Sequence, residues 1–364
     1  MLEMTQEIVE ILESLWAKNK AKGLLAQMVF SNEIGSGIFG SDAYEKLVPG
    51  CWLLAPKEHD FYKFRFCFFT HPEVLKDDVL DSSPKTLLGD LYRPFHAVAE
   101  FMNAAGVGVT YAVPATPDRN LPLKEIANRS FENIHWHFFG FGNGRFLPSD
   151  PHEFFGKWGG GRGRPSHGTP WEPQTRDKIA GLDETVLTEL LLTEVFFSGF
   201  LKGVLRKSLS DPYDVDSFLI SISQRHIFPM EIKEKFPGQS GKDLFFGIDA
   251  GRIMMLLRLC LPNDANAVYL IRELDESGRF IGWKYMTLSD IIMTASWNLQ
   301  AGGPGMGGQS TQTIRLPYDH FRAFTGETIS EDHLKEMGNL PKEVKAVAKQ
   351  FGAELSSRFG AQEQ

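Results

Sequence analysis

The stretch DVDSFLISISQRHIFPMEIKEKF, from Asp214 to Phe236, decides how this chain folds. Two apolar runs flank a short polar segment, a pattern that predicts a β-hairpin with strands at about 214–222 and 227–234. Aspartates enter the first strand, and Glu231-Ile232-Lys233 lies near the end of the second. Charges in strands that ought to be buried need partners, so the hairpin is a candidate functional site.

The spacing of these charges places them on shared faces, because residues two apart in a strand point the same way. Asp214 and Asp216 therefore share one face, and Glu231 and Lys233 share another. If the two strands pair, carboxylates and an amine converge at one end of a sheet. Such oxygen ligands suit Mg²⁺ or Mn²⁺, which keep waters that a phosphate can displace. Asp214 competes with Asp216 as the main ligand, and a strand-entry or supporting role is favoured for Asp214.

A long helix is predicted before the hairpin, from near residue 183 to about 207. Glu194 falls within its apolar stripe, four residues after Leu190 and three before Phe197. A carboxylate in that position needs a partner. We therefore take Glu194 as the fourth candidate member of the site, with Glu189 as the alternative.

Further elements follow the hairpin in a regular order. A helix is predicted over 242–260, and strands are predicted over 266–274 and 280–288. The segment 183–288 is therefore expected to run helix, strand, strand, helix, strand, strand. This order sets the local context in which the charged hairpin is interpreted.

The pattern of Glu194 on a helix, Asp216 on a strand and Glu231-Ile232-Lys233 on the next strand resembles the PD-(D/E)xK nuclease superfamily. The resemblance covers about residues 183–290. It implies the restriction-endonuclease-like fold, an α/β domain with a mixed central sheet flanked by helices, within a chain that is α+β overall. By the same resemblance Asp216, Glu231 and Glu194 hold Mg²⁺ or Mn²⁺, with Asp214 as a further candidate ligand, and Lys233 positions the attacking water.

The activity implied by this resemblance is Mg²⁺-dependent hydrolysis of DNA phosphodiester bonds by an endonuclease, in restriction or anti-phage defence. Such an enzyme is expected to work as a homodimer. Two alternatives stay open: cleavage of RNA by the same site, and a non-catalytic binding or assembly protein that keeps the nuclease-like fold as a scaffold.

Several basic residues are candidate contacts to nucleic acid. Lys235 follows the hairpin charges, and Arg252 lies on the next predicted helix. Arg162 and Arg164 lie in a glycine-rich loop, where cations on flexible backbone are able to follow a phosphate chain. The simpler expectations are a solvated strand end at 234–235 and a surface ion pair between residues 249 and 252.

Four segments are predicted along the chain. Residues 1–155 form a separate α+β domain that recognises a target, a protein partner or an activator. Residues 156–180 are rich in glycine, proline and arginine and are predicted to be a linker. Residues 181–325 form the nuclease-like domain, and residues 326–364 form a helical tail that is a candidate dimer interface.

Composition limits the classes of protein that fit. A net charge of −8 argues against a surface built for non-specific nucleic-acid binding, although a local basic cleft remains compatible with it. The three cysteines have no CxxC spacing, so neither a disulfide framework nor a cysteine-ligated zinc site is expected. No run approaches the roughly 20 apolar residues of a membrane-spanning helix. A cytoplasmic protein with no signal peptide and no membrane segment is therefore predicted.

Overall fold

The structure is a computed structural model of a mixed α/β protein, with a large mixed sheet flanked by helices. It describes residues 2–15, 18–35, 39, 46–55, 64–77, 83–117, 134–152, 170–195, 213–221, 223, 225–295, 300–301, 312–347 and 349–350. The chain divides into two compact units, each assembled from separate segments. The first contains Met1–Val29, Cys51–Ala99 and Val107–Asp214, and the second contains Phe30–Gly50, Glu100–Gly106 and Val215–Gln364.

Strands and helices alternate irregularly along the first unit. Its strands are β1 (Leu47–Leu54, which begins in the second unit), β2 (Phe66–Thr70), β3 (Leu75–Lys76), β4 (Gly108–Thr116), β5 (His135–Gly142) and β6 (Arg145–Ser149). Its helices are α1 (Leu2–Leu15), α2 (Lys18–Gly35), α3 (Pro84–Leu88), α4 (Tyr92–Ala104), α5 (Pro173–Ala180) and α6 (Glu184–Val195), of which α2 and α4 end in the second unit. The strand order is β1-β2-β4-β5-β6, with β3 paired to β4.

A helical cluster forms the core beside this part of the sheet. Ile8 and Leu12 lie one turn apart on α1, and both are buried with Leu187 and Leu191 of α6. Burial of one apolar stripe on each helix accounts for their packing, since the hydrophobic effect scales with the apolar area removed from water.

The second unit holds the hairpin that opened the sequence analysis. Its strands are β7 (Tyr213–Ile220), β8 (Ile227–Lys235), β9 (Gly238–Ser240), β10 (Asp243–Asp249), β11 (Val268–Leu274), β12 (Phe280–Thr287), β13 (Gln300–Ala301), β14 (Gln312–Pro317) and β15 (Arg322–Ala323). Its own helices are α7 (Ala250–Cys260), α8 (Leu288–Thr294) and α9 (Glu331–Gly338). The strand order is β15-β12-β11-β8-β7-β1, and β13-β14-β10-β9 form a second sheet.

Strand β8 is central and pairs differently on its two sides. It is antiparallel to β7, with Ser217 opposite Met230, and parallel to β11, with Tyr269 opposite Glu231. A parallel pair requires a long crossover connection. Here β9, β10 and α7 form that connection, and they bring α7 to the face of β8 that carries Glu231.

Strand β1 approaches β7 closely behind Asp216. A Cβ atom at Gly50 would lie 1.9 Å from the Val215 carbonyl oxygen and 2.6 Å from that of Asp216. The Ser217 hydroxyl donates a hydrogen bond to the Val48 carbonyl at 3.0 Å. Gly50 is therefore required by the space between the two backbones, and β7 is an inner strand rather than an edge.

Most strands predicted around the site are confirmed. The segments predicted at 214–222, 227–234, 266–274 and 280–288 are β7, β8, β11 and β12. These segments are short apolar runs bounded by turn residues, and β8 and β11 are buried on both faces over most of their length, which explains why the sequence revealed them.

The helix predicted over 242–260 is wrong in its first part. Residues Asp243–Asp249 form β10, in which burial alternates at Phe246 and Ile248, and the helix begins at Ala250. Asp249 ends the strand and caps the helix, with its side chain accepting a hydrogen bond from the Gly251 amide at 2.6 Å. The apolar content of this segment hid the change from strand to helix.

Other predicted segments are described only in part. Helix α6 ends at Val195 as the structure describes it, and the rest of the predicted helix, residues 196–207, lies outside the described ranges. Helix α5 lies within the predicted linker and has Ile179 buried. In the predicted tail, α9 is followed by helical residues 342–347, while residues 351–364 lie outside the description. The predicted domain boundaries stay predictions.

Within the ranges given above, none of the helices combines the length and apolar character needed to cross a bilayer.

Candidate functional site

The hairpin β7–β8 brings Asp216, Glu231 and Lys233 together. Lys233 Nζ lies 2.8 Å from Glu231 Oε1 and 3.5 Å from Asp216 Oδ2. Asp216 Oδ2 also accepts a hydrogen bond from the Ile232 amide at 2.6 Å. The ammonium group therefore lies between two carboxylates that come from neighbouring strands.

Both carboxylates are buried, whereas the lysine is partly exposed. The side chains of Asp216 and Glu231 are 0% and 1% exposed, and that of Lys233 is 29% exposed. Neither oxygen of Glu231 accepts a hydrogen bond from the residues that the structure describes, although Lys233 lies within ion-pair distance. Glu231 is thus held by charge without a directed hydrogen bond. Burying a carboxylate in this way costs free energy, which is typical of functional sites.

A second cation reaches Glu231 from the first turn of α7. Arg252 Nη1 lies 3.4 Å from Glu231 Oε2, and its side chain is 20% exposed. The expectation of a simple surface ion pair between Asp249 and Arg252 is therefore corrected. Asp249 is the N-cap of α7, and Arg252 is directed at a buried carboxylate beneath the helix.

Tyr269 is a neighbour of the site that sequence reasoning missed. It lies opposite Glu231 in the parallel register, and its buried hydroxyl donates a hydrogen bond to the Gly247 carbonyl at 2.9 Å. Burial raises the pKa of Tyr269 well above its ordinary value, and the negative charges of Glu231 and Asp216 raise it further. The sequence does contain one indication of this neighbour, because the Tyr269 hydroxyl interrupts the apolar start of β11.

Lys235 donates a hydrogen bond to the same Gly247 carbonyl. Burial lowers the pKa of Lys235 to about 8; the charge of Lys233 adds to this lowering, and Glu231 opposes it. The two donors fix β10 at the point where it leads into α7. The role of Lys235 as a nucleic-acid contact stays a prediction.

The expectation of a solvated strand end at Glu234 and Lys235 is wrong. Glu234 Oε2 lies 2.6 Å from Arg272 Nη1, and their side chains are 9% and 14% exposed. Strand β11 pairs with β8 as far as Lys235, so the end of β8 is covered on that side. The coverage comes from a long-range parallel pairing that the local sequence does not reveal.

The remaining predicted residues are described incompletely. Asp214 is half-buried at the start of β7. Glu194 belongs to α6, but its side chain lies outside the description, as do Arg162 and Arg164. For the alternative Glu189, burial raises the pKa of its carboxyl. Burial also raises the pKa of the Tyr111 hydroxyl, and the charge of Glu189 raises it further.

The carboxylates of the hairpin match part of the ligand set of the divalent metal that the nuclease resemblance implies. Among the side chains that the structure describes, no group of three His, Cys, Asp or Glu residues is arranged to hold a metal ion. Asp216 and Glu231 nevertheless supply two carboxylates, and both Glu231 oxygens lack hydrogen bonds. Such a pair fits Mg²⁺ or Mn²⁺, because Mg²⁺ is commonly held by one or two carboxylates while it retains several waters.

Comparison of the chain with protein-family models, with curated proteins and with solved structures gives no significant match. The function is therefore inferred from the geometry of the site and from the order of the elements that build it.

Proposed function

We propose that this protein is a metal-dependent endonuclease that hydrolyses phosphodiester bonds of DNA. One observation carries the proposal: Asp216 and Glu231, from two paired strands, are buried on either side of a single cationic group, the ammonium of Lys233. Two buried carboxylates on neighbouring strands attract positive charge, which Lys233 and Arg252 supply in the structure and which a metal ion would also supply. The oxygens of Glu231 accept no hydrogen bond from the described residues and contact Lys233 and Arg252 by charge alone, so they are the candidate atoms to bind a metal ion.

The order of elements supports the same proposal. An aspartate on β7 is followed by Glu231-x-Lys233 on the antiparallel strand β8, by helix α7, and by β11 parallel to β8. This order is similar to that of the restriction-endonuclease-like fold, which we propose for the second unit. A cytoplasmic role in restriction or anti-phage defence, target or activator recognition by residues 1–155 and a homodimer formed through residues 326–364 belong to the same proposal.

The residues of the site have separate roles in this reaction. A Mg²⁺ or Mn²⁺ ion held by Asp216 and Glu231, with Glu194 as a further candidate, would polarise a phosphoryl oxygen and acidify a bound water. Lys233 is suited to orienting the attacking water and offsetting phosphate charge, because its ammonium already lies beside both carboxylates. Arg252 adds a second positive charge at the same place.

A second candidate function is a non-catalytic binding or assembly protein. Lys233 and Arg252 carry two positive charges against the two negative charges of Asp216 and Glu231, so these four side chains are formally neutral together. Such a balance stabilises the folded chain without a metal. Cleavage of RNA by the same site is the remaining alternative.

The deciding experiment incubates the purified protein with plasmid, linear and single-stranded DNA and with RNA, in Mg²⁺, Mn²⁺ or EDTA. We expect DNA cleavage in either metal and none in EDTA. Glu231→Gln is expected to lower the rate by about 10³-fold, since metal charge stabilisation contributes several kcal/mol to the barrier.

Glu234→Gln is the matched control, because Glu234 is a largely buried carboxylate on the same strand and belongs to the opposite face. It is expected to cleave like the parent. Full activity of Glu231→Gln contradicts the proposed site. Cleavage of RNA alone identifies the RNA alternative, and no cleavage under any condition identifies the scaffold.

A further inference from the structure

A second group of titratable side chains lies in the first unit, on one face of the sheet around β4. Strand β5 pairs with β4 so that Val113 lies opposite His137 and Ala115 lies opposite His135. Residues two apart in a strand point the same way, so the two imidazoles share this face. Two nitrogen donors are therefore presented side by side.

A carboxylate reaches the same face from the other side of β4. Strand β3 pairs with β4 there, with Leu75 opposite Ala115, and Asp77 comes directly after β3. Ala115 carries only a methyl group, which leaves space for side chains from the two neighbouring strands to meet. Asp77 Oδ2 lies 3.2 Å from His135 Nδ1, and the two side chains are 34% and 55% exposed.

The charge of Asp77 acts on His137 as well. Burial lowers the pKa of His137, the charge of Asp77 opposes this lowering, and His135 adds to it. One carboxylate thus lies within electrostatic reach of both imidazoles.

Three buried polar atoms at this face have no hydrogen-bond partner among the described residues: Asp77 Oδ1, His71 Nδ1 and the Tyr111 hydroxyl. Tyr111 lies two residues before Val113 on β4 and therefore points to the same side of the sheet. The ring of His71 lies 5.9 Å from that of Tyr111, and the two residues are 9% and 2% exposed. Buried polar atoms without partners are rare, and a bound ion or water is the usual reason for them.

We propose that Asp77, His135 and His137 form a metal site in the first unit for a transition-metal ion such as Zn²⁺. Imidazole nitrogen suits Zn²⁺, Fe²⁺ and Ni²⁺, whereas Mg²⁺ prefers oxygen ligands alone. Two histidines and one carboxylate also leave coordination positions open for water or a small ligand. The site differs in donor type from the carboxylate pair of β7 and β8, and it does not rest on the proposed nuclease activity.

Metal binding requires one rearrangement. His135 Nδ1 is directed at the carboxylate, and no three such side chains in the described part of the chain are already arranged to hold an ion. His135 is more than half exposed, so its ring is able to turn and give up its contact with Asp77 Oδ2. A coordinated ion replaces that contact, because it binds the carboxylate and the imidazole together.

The test titrates Zn²⁺ into full-length Glu231→Gln protein by calorimetry, which limits binding by the hairpin carboxylates. We expect one Zn²⁺ per chain, bound in the presence of excess Mg²⁺ because two of the ligands are imidazoles. Co²⁺ in place of Zn²⁺ reports nitrogen coordination through its visible spectrum.

Removal of any one ligand should weaken this binding. His135→Gln, His137→Gln and Asp77→Asn, each made in the Glu231→Gln protein, are expected to bind Zn²⁺ at least about 100-fold more weakly. Residues that only orient a metal ligand are already worth about 10- to 100-fold in affinity.

His96→Gln in the same protein is the matched control. His96 belongs to the same unit, and its ring bonds the Gly144 carbonyl at 2.8 Å, at the end of β5 opposite to His135. This variant should bind Zn²⁺ as tightly as the Glu231→Gln protein does. Thermal melting without metal checks that each variant folds, and Asp77→Asn, which keeps the shape of the side chain, decides the result if a histidine variant does not fold.

The inference is overturned if the Glu231→Gln protein binds no Zn²⁺, or if any folded ligand variant binds it as tightly as His96→Gln does. The nuclease proposal is judged separately by cleavage. Zn²⁺ binding at these ligands by a protein that cleaves neither DNA nor RNA keeps the metal site and rejects the nuclease. Cleavage that depends on Glu231, without Zn²⁺ binding in the first unit, keeps the nuclease and rejects the metal site.

Discussion

Strand β8 carries a carboxylate–cation pair on each of its two faces, and the two pairs differ in how they are held. On one face, Arg272 donates a hydrogen bond to Glu234 at 2.6 Å. On the other face, Glu231 contacts Lys233 and Arg252 by charge, and neither of its oxygens accepts a hydrogen bond. Glu231 and Glu234 lie three residues apart on one strand and both face cations. Glu234 is hydrogen-bonded to its cation, whereas Glu231 is not.

The presence or absence of a hydrogen bond distinguishes an ion pair that stabilises the fold from a carboxylate that is suited to binding a ligand. A hydrogen-bonded ion pair with both members buried is strongly destabilised when one member is removed, because the other is left without a partner. A carboxylate that lacks hydrogen bonds has already incurred part of that cost and gains when a ligand arrives. Burial and charge alone do not distinguish the two cases, whereas the direction of the donors does.

The largest expected difference between the faces concerns their arginines. Arg272→Met should lower the free energy of unfolding by about 3 kcal/mol, since Glu234 remains buried without its partner. Arg252→Met should lower it by less than about 1 kcal/mol, because Glu231 keeps Lys233 at 2.8 Å. Urea unfolding followed by circular dichroism gives both values. Equal losses would mean that the two faces are energetically alike.

Next in size is the pH dependence introduced by Lys235, whose pKa of about 8 lies below its ordinary value. The unfolded chain binds this proton more tightly, so the stability of the parent should rise as pH increases from about 8 to about 10. Relative to Lys235→Met, the rise should be on the order of 2 to 3 kcal/mol. Urea unfolding at a series of pH values measures the free energy of unfolding of both proteins. If the two free energies change with pH in the same way, Lys235 does not cause the rise.

The smallest expected effect belongs to Tyr269, beside Glu231. Tyr269→Phe removes one hydrogen bond to the Gly247 carbonyl, which keeps Lys235 as a donor, so the loss should be about 1 kcal/mol. Tyr111→Phe is the control, because the buried Tyr111 hydroxyl has no hydrogen-bond partner among the described residues. Thermal melting should separate the two variants. A greater loss at Tyr111 would contradict this assignment of partners.

The sequence predicted the parts of the site that depend on local apolar runs. Two such runs around a short polar segment placed Asp216 on one strand and Glu231 with Lys233 on the next, and the structure brings these three side chains together. Arg252 and Tyr269 reach the site through the parallel pairing of β8 with β11 and through the crossover helix. Such long-range register leaves no local pattern, so their positions were not predictable in the same way.

The fold shows the same division between local and distant information. Strands β7, β8, β11 and β12 follow from local apolar runs bounded by turns, whereas the change from β10 to α7 depends on the cap at Asp249 and on pairing with the later strand β14. The contribution of residues 30–50 to the second unit was also hidden. Nothing in the sequence of β1 indicates that its first half pairs with a strand far along the chain.

That pairing has a consequence for synthesis on the ribosome. The hydrogen bond from Ser217 to Val48 joins residues 169 positions apart in the chain. At about 5 to 20 residues per second, β1 emerges roughly 10 to 30 seconds before β7 does. During that interval one edge of β1 lacks its final neighbour. If synthesis pauses after β1 and before β7, the nascent chain therefore exposes an unpaired strand edge that is prone to aggregate. Binding by chaperones should be strongest during that interval.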